Sequence, residues 1–224
     1  MSERGKVIVF EGSDGTGKTE QAVRNTDYFE SLGIPMLRVW NDEVGAMQPV
    51  QEPGGTPYAN KIRIQLKTDA SLSPWEQVVK FTDAREDIYN NVTLPALEAG
   101  VSSIPTRNFI STVMYQGRVL GIEAERILDY TRERMGEDYM TPELTCILAL
   151  YDESVRRERA RQSAAHEKDV FEMLPESDQV SLQVGYVKYA EENGLPLIDA
   201  GGTRDEVELA LRKLVEPILL PLQQ

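Results

Sequence analysis

Gly12-Ser13-Asp14-Gly15-Thr16-Gly17-Lys18-Thr19 follows directly on the short apolar run Lys6–Glu11 and opens onto Lys18–Leu32, a segment of helical character stopped by Gly33. It is a full G-x-x-x-x-G-K-[ST] match in the strand-to-helix setting that the motif requires. Glycines let successive backbone N–H groups converge on phosphate oxygens with no side chain between them. The start of the helix adds its partial positive charge. In that cradle Lys18 can reach the outer phosphates of a nucleotide, and the Thr19 hydroxyl can ligate a magnesium ion. The cradle therefore comprises Gly12, Ser13, Asp14, Gly15, Thr16, Gly17, Lys18 and Thr19.

Outward from this P-loop, strand-like and helical segments alternate. Met36–Trp40 reads as a second strand, and the polar stretch Asn41–Gly55 as a long loop with Gly and Pro punctuation. Helical spacing runs near Thr56–Thr68 and Pro74–Glu98. Gly100–Ile104 is a third strand closed by Pro105, and Ser111–Gly136 is mostly helical with a break near Gly117–Gly121. Thr145–Leu150 and Leu195–Ile198 complete five strands, while Glu153–Ala165, Ser177–Asn193 and Thr203–Leu219 are helical. Strands separated by helices imply right-handed crossovers and a parallel sheet. The expectation is one α/β domain over residues 1–224: a P-loop NTPase fold with a five-stranded parallel sheet, helices on both faces and a helical lid near Glu153–Lys168.

Composition narrows the partners. The formal charge is −13, with 37 acidic against 24 basic residues, so long nucleic acid is not expected to bind. A local pocket of cations and amides can still attract a small anion. No apolar run approaches the ~20 residues of a membrane span, and Met1–Lys6 is too polar for a signal peptide. The single cysteine, Cys146, excludes an internal disulfide and points to a reducing, cytoplasmic setting.

A P-loop alone does not separate kinases from other nucleotide hydrolases. The rest of the chain resembles the thymidylate kinase family, with seven motifs in order. Phe10 to Gln21 is similar to F-E-G-x-[DE]-G-x-G-K-[ST]-T-Q. Glu52-Pro53-Gly54-Gly55-Thr56-Pro57 with Lys61-Ile62-Arg63 resembles E-P-G-G-T-P…I-R. Phe81…Arg85 resembles F-x-A-x-R, Leu94–Gly100 resembles L-P-A-L-x-x-G, and Ser111-Thr112…Tyr115-Gln116-Gly117 resembles S-S-x-A-Y-Q-G. Pro142–Thr145 and Ile198-Asp199-Ala200 match two further landmarks.

The resemblance implies ATP-dependent phosphorylation of dTMP or a close pyrimidine deoxynucleoside monophosphate, with magnesium, by a homodimer. Phe81 and Arg85 are four apart, so on a helix they share a face. A ring there can stack on a base, and a guanidinium can grip a phosphate. By resemblance Phe81 stacks on thymine, Arg85 and Gln116 read its polar edge, Arg107 contacts the acceptor phosphate, and Asp14 the sugar hydroxyl. Glu52, Pro53 and Ser111 line the same site. Within the charged stretch Asp152–Lys168, Arg156, Arg157, Arg159 and Arg161 stand close together, and Arg157 and Arg161 join Lys18 and Arg107 as expected catalytic cations.

The pattern is broken in four places. Thr106-Arg107-Asn108 replaces the family's Asp-Arg-[YF], Gln51 stands where an Arg precedes E-P-G-G, and Asp169-Val170-Phe171-Glu172 replaces D-R-x-E. An extra stretch near Asn41–Val50 lengthens the loop after the second strand. These changes gather around the acceptor and the lid, leaving two alternatives open: a kinase for a modified deoxyuridylate, or a P-loop protein that binds nucleotide and turns over weakly or not at all.

Overall fold

The computed structural model describes residues 3–152, 154–155, 158–159, 171 and 173–223. β1 (Ile8–Glu11) feeds the P-loop and α1 (Lys18–Ser31). Two short strands follow, β2 (Val39–Asn41) and β3 (Ala46–Gln48), then α2 (Pro57–Thr68) and α3 (Pro74–Ile88). A π-helical turn, Tyr89–Thr93, carries α3 on into α4 (Leu94–Glu98). A second one, Val113–Val119, extends α5 (Phe109–Thr112). Then come α6 (Ala124–Met140), β4 (Leu144–Ala149), α7 (Glu176–Asn193), β5 (Leu197–Asp199) and α8 (Arg204–Leu219).

The sheet has three parallel strands in the order β1-β4-β5, not the five expected. Ile8 lies opposite Leu144, and Ile147 opposite Leu197. The expected third strand does lie beside β1, but only through isolated parallel bridges, Val7 to Ser103 and Phe10 to Thr106. Pro105 lacks an N–H, so a continuous ladder cannot pass through it. The outermost position is likewise held by single bridges, from Met36 to Ser102 and from Gln51 to Thr106.

The expected second strand departs further. Val39–Asn41 leaves the sheet direction and pairs antiparallel with Ala46–Gln48, so a β-hairpin stands inside the stretch read as a long loop. Its turn is built by Asn41, whose side-chain oxygen accepts from the N–H groups of Glu43 and Val44 at 2.9 and 3.1 Å. This is the local bonding that suits Asn to turns.

Alternation along the strands sends side chains to two cores. Ile8, Phe10, Cys146 and Leu148 pack with Phe29 of α1 and Val207, Leu211 and Val215 of α8. Ile147 points the other way, into Ile110, Val113, Met114, Ile127 and Tyr186. Helices thus cover both faces, as a parallel sheet requires. Gly185 of α7 admits Arg118, whose Cδ would stand 2.5 Å from a Cβ there, so α7 sits hard against the π-helical turn that carries Gln116. Among the described residues no helix is long and apolar enough to cross a membrane.

Candidate active site

The phosphate cradle forms at the C-terminal edge of β1. Gly12 has φ 140°, and a Cβ on it would stand 2.2 Å from the Leu148 carbonyl oxygen of β4, so the loop can leave the sheet only with glycine there. Lys18 is folded into the loop, its ammonium donating to the Ser13 carbonyl at 2.7 Å, and the Thr16 hydroxyl donates to the same oxygen at 2.9 Å. Burial is the main cause that lowers the Lys18 pKa to about 7, the nearby Arg107 cation adding to it against Asp14 and Glu11. A cleft of about 630 Å³ opens over the loop; Thr19, Thr106, Arg107 and Arg159 are on its wall. Among the described residues, the buried hydroxyls of Ser13 and Thr106 have no hydrogen-bond partner.

Glu11, the last residue of β1, is fully buried. One of its oxygens accepts from the Asn108 N–H at 2.8 Å and the Ser111 N–H at 3.0 Å. The other accepts from the Gly12 N–H at 3.1 Å. Asn108 caps α5 through Ile110 N–H at 2.9 Å. A single carboxylate therefore ties the first amide of the P-loop to the start of α5. Between these points Arg107 sits at φ 69°, a left-handed conformation uncommon for a residue with a side chain. Its guanidinium donates to Ser111 Oγ at 2.9 Å and pairs with Asp14. Tyr115 donates to the other Asp14 oxygen at 2.7 Å. Burial drives the Asp14 pKa up, but Arg107, Lys18 and Tyr115 together outweigh it and hold the carboxyl below its usual range.

A second cavity, of about 240 Å³, adjoins the cleft, and Asp14, Gln51 and Arg107 line both. Phe81 and Arg85 occupy one face of α3, with the guanidinium 5.3 Å from the ring centroid. Arg85 is 1% exposed; it donates to Thr112 Oγ1 at 2.7 Å, and its Nε lies 3.3 Å from Glu52. Glu52 also accepts from the Tyr139 hydroxyl at 2.6 Å. Burial raises the Glu52 pKa to about 7, against the pull of Arg85 and Tyr139. Gln116 donates its amide to Gln77 at 3.0 Å, leaving a buried carbonyl oxygen with no partner among the described residues. Buried polar atoms are nearly always bonded, so this oxygen marks where a ligand donor belongs.

Every expected acceptor residue is on this wall: Asp14, Glu52, Pro53, Phe81, Arg85, Arg107, Ser111 and Gln116. Ser111 is spent on the scaffold, bonded to Glu11, Arg107 and Tyr186. Arg157 and Arg161 lie outside the described residues. Arg159 of the same stretch is described, its guanidinium 3.5 Å from the Gly15 carbonyl.

The sequence reading missed several wall residues. Tyr115 stood beside Gln116 in a quoted motif and Arg63 in another, yet neither was assigned to the site. Phe171 packs against Phe81, ring centroids 5.7 Å apart, though its segment read only as a degraded lid motif. Glu11, which anchors the site from behind the wall, stood in the quoted F-E-G motif without a role. Glu43 and Lys67 gave no signal, because an isolated charged residue reads as a solvated one.

Comparison with known proteins places this geometry. The thymidylate kinase family model matches residues 10–210. The thymidylate kinase of Dinoroseobacter shibae is 32% identical over 215 residues, covering 94% of this chain and 95% of that protein. The thymidylate kinase of Chlamydia caviae is 29% identical over 211 residues, covering 93% and 94%. The crystal structure of thymidylate kinase from Ehrlichia chaffeensis superposes with a TM-score of 0.67 at 20% identity, over 95% of this chain and 99% of that one, a likeness of fold. With a family model spanning the P-loop, both cavities and the start of α8, the chain belongs to the thymidylate kinase family.

Proposed function

We propose that the chain transfers the γ-phosphoryl group of ATP to dTMP, giving ADP and the thymidine diphosphate. The observation that carries this is the pair of adjoining cavities, one built by the P-loop and one by Phe81, Arg85 and Gln116, with Asp14 and Arg107 on their shared wall. An oxygen of the acceptor phosphate attacks the γ-phosphorus, and the bond to the β,γ-bridging oxygen breaks, its electron pair leaving with ADP. Such a transfer asks mainly for positioning and charge neutralisation.

Lys18 leaves the Ser13 carbonyl for the outer phosphates, and Arg107 spans the two reacting groups. Arg159 is near enough to the P-loop to neutralise charge on the transferred group, a role that Arg157 and Arg161 share in this reading. Magnesium supplies further charge neutralisation when bound, and the Thr19 hydroxyl shares the cleft with that of Thr106, which has no partner among the described residues; both are the oxygen donors a hard cation favours. Phe81 stacks on the pyrimidine, while Arg85 and Gln116 meet its polar edge and Asp14 the sugar hydroxyl. Pairing of two copies through helices and a cytoplasmic setting follow from family membership as part of the same proposal.

The test is ADP release from ATP and magnesium across dTMP, dUMP, 5-hydroxymethyl-dUMP, dCMP, dGMP and AMP. Selective release with dTMP supports the assignment. Preference for the hydroxymethyl nucleotide reassigns the acceptor, and no stimulated release from any of them removes the kinase reading.

A further inference from the structure

The β2–β3 hairpin reaches the acceptor cavity. Its turn is docked on α2 by Asp42, which accepts from Asn60 Nδ2 at 2.9 Å. The next residue, Glu43, lines the cavity. Its carboxylate accepts from Lys67 Nζ at 3.1 Å and lies 3.8 Å from Arg63 Nε. Arg63 and Lys67 are four apart on α2 and present two cations to the same wall. Arg63 stands toward the end where the two cavities meet, its guanidinium 3.5 Å from the Pro53 carbonyl, and its charge helps to hold Asp14 ionised.

Three cationic groups of the cavity thus face carboxylates of the protein itself: Arg107 faces Asp14, Arg85 faces Glu52, and Arg63 with Lys67 faces Glu43. The first two carboxylates are fixed by tyrosine hydroxyls, Tyr115 on Asp14 and Tyr139 on Glu52. Among the described residues Glu43 receives no such hydroxyl. Its side chain is 61% exposed, and it rides on the four-residue turn, Asp42 to Gly45, between three-residue strands. It is the carboxylate that can leave.

We infer that Glu43 is a displaceable counter-ion: it holds the Arg63–Lys67 wall when no acceptor is bound, and the dianionic phosphate of the acceptor evicts it. The inference rests on the acceptor being a nucleoside monophosphate and deepens that reading. A phosphate carries close to two negative charges and three acceptor oxygens, so it outcompetes one carboxylate for two cations. A competitor inside the protein reduces apparent affinity by the fraction of time the wall is occupied. Glu43 therefore sets how much charge an acceptor must bring, favouring a dianion over a monoanion or an uncharged nucleoside.

The experiment is calorimetric binding of dTMP and of thymidine to wild type, Glu43→Gln and Glu43→Ala, with acceptor and ATP KM values alongside. Exposed ion pairs correspond to roughly 1.5- to 5-fold each in an equilibrium constant. With the Glu43 charge removed from that wall, both variants are expected to bind dTMP about 3- to 10-fold more tightly and to lower the acceptor KM to match. Thymidine affinity and the ATP KM stay unchanged. Unaltered dTMP affinity, weaker dTMP affinity, or an equal gain for thymidine overturns the inference. Absence of dTMP binding by the wild type would instead remove the assignment of the acceptor.

Discussion

The Tyr115 hydroxyl donates a 2.7 Å hydrogen bond to the Asp14 carboxylate, tying the P-loop to the wall of the acceptor cavity. Asp14 is ion-paired with Arg107 on its other oxygen. Removing the hydroxyl in Tyr115→Phe keeps the ring contact with Phe171 and the stacking under Arg107. A hydrogen bond to a charged group contributes about 1.5–3 kcal/mol. Steady-state kinetics should show kcat/KM for the acceptor falling about 10- to 100-fold, with the ATP KM nearly constant. A matching loss for ATP would mean that the bond supports the whole P-loop.

Phe81→Ala removes a ring that closes the cavity with Phe171. Stacking of a base on an aromatic side chain contributes about 1–3 kcal/mol. The acceptor KM should rise about 5- to 100-fold while the ATP KM changes little. Equal effects on both substrates would sink the stacking role.

Lys18 makes ATP binding dependent on pH. In the free protein its pKa is about 7, held down chiefly by burial. A bound triphosphate favours the charged ammonium and pulls that pKa up again. Between about pH 7 and 9 binding should therefore take up a proton, close to one per ATP at the upper end. Calorimetry in buffers of different ionisation enthalpy reads this directly, and zero uptake at pH 8 contradicts it. The same shift acts on folding. The unfolded chain, with its lysine near 10.5, holds more protons than the empty fold above pH 7, so this group's contribution to stability rises with pH across that window.

Thr106→Asp tests the largest departure from the family motif. The native hydroxyl is buried and without a partner among the described residues, on the wall shared with Thr19 and Arg107. A carboxylate there would have Lys18 and Arg107 in the same cleft as counter-charges. If an absent acid limits turnover, kcat should rise about 10-fold or more, as removal of single electrostatic groups costs elsewhere. An unchanged or lower kcat would show that turnover is limited by another step.

Gly12→Ala should prevent folding or lower Tm by many degrees. Its Cβ would stand 2.2 Å from a backbone oxygen of β4, and φ 140° is closed to alanine. Circular dichroism of the purified variant decides the matter. A native-like melt would mean that the loop can be rebuilt.

The cradle was legible because its chemistry is carried by eight consecutive residues between a strand and a helix. Helical spacing places Phe81 and Arg85 on one face. Their place in the site was legible only through the ordered family motifs, since a lone ring reads as core and a lone arginine as solvated. Reach across the fold was harder to read. Glu11 ends an apolar run and looks solvated until α5 is seen folding its N–H groups onto it. Strand count was overestimated because Pro105 breaks hydrogen bonding without diverting the chain. The hairpin was hidden because strands of three residues carry no alternation to detect. Glu43 owes its place to that hairpin, so its contact with Lys67 was equally out of view.

Glu11 has a consequence for how the two substrates meet. Gly12 belongs to the ATP cradle; Asn108 and Ser111 open the helix that leads to the acceptor wall. All three N–H groups end on one carboxylate with no solvent around it. Donor and acceptor sites are thereby gauged from a common origin, and neither can drift without dragging the other. Adjustment is left to parts beyond that origin, such as the hairpin turn, while the spacing between the P-loop and the start of α5 is already built into the resting protein.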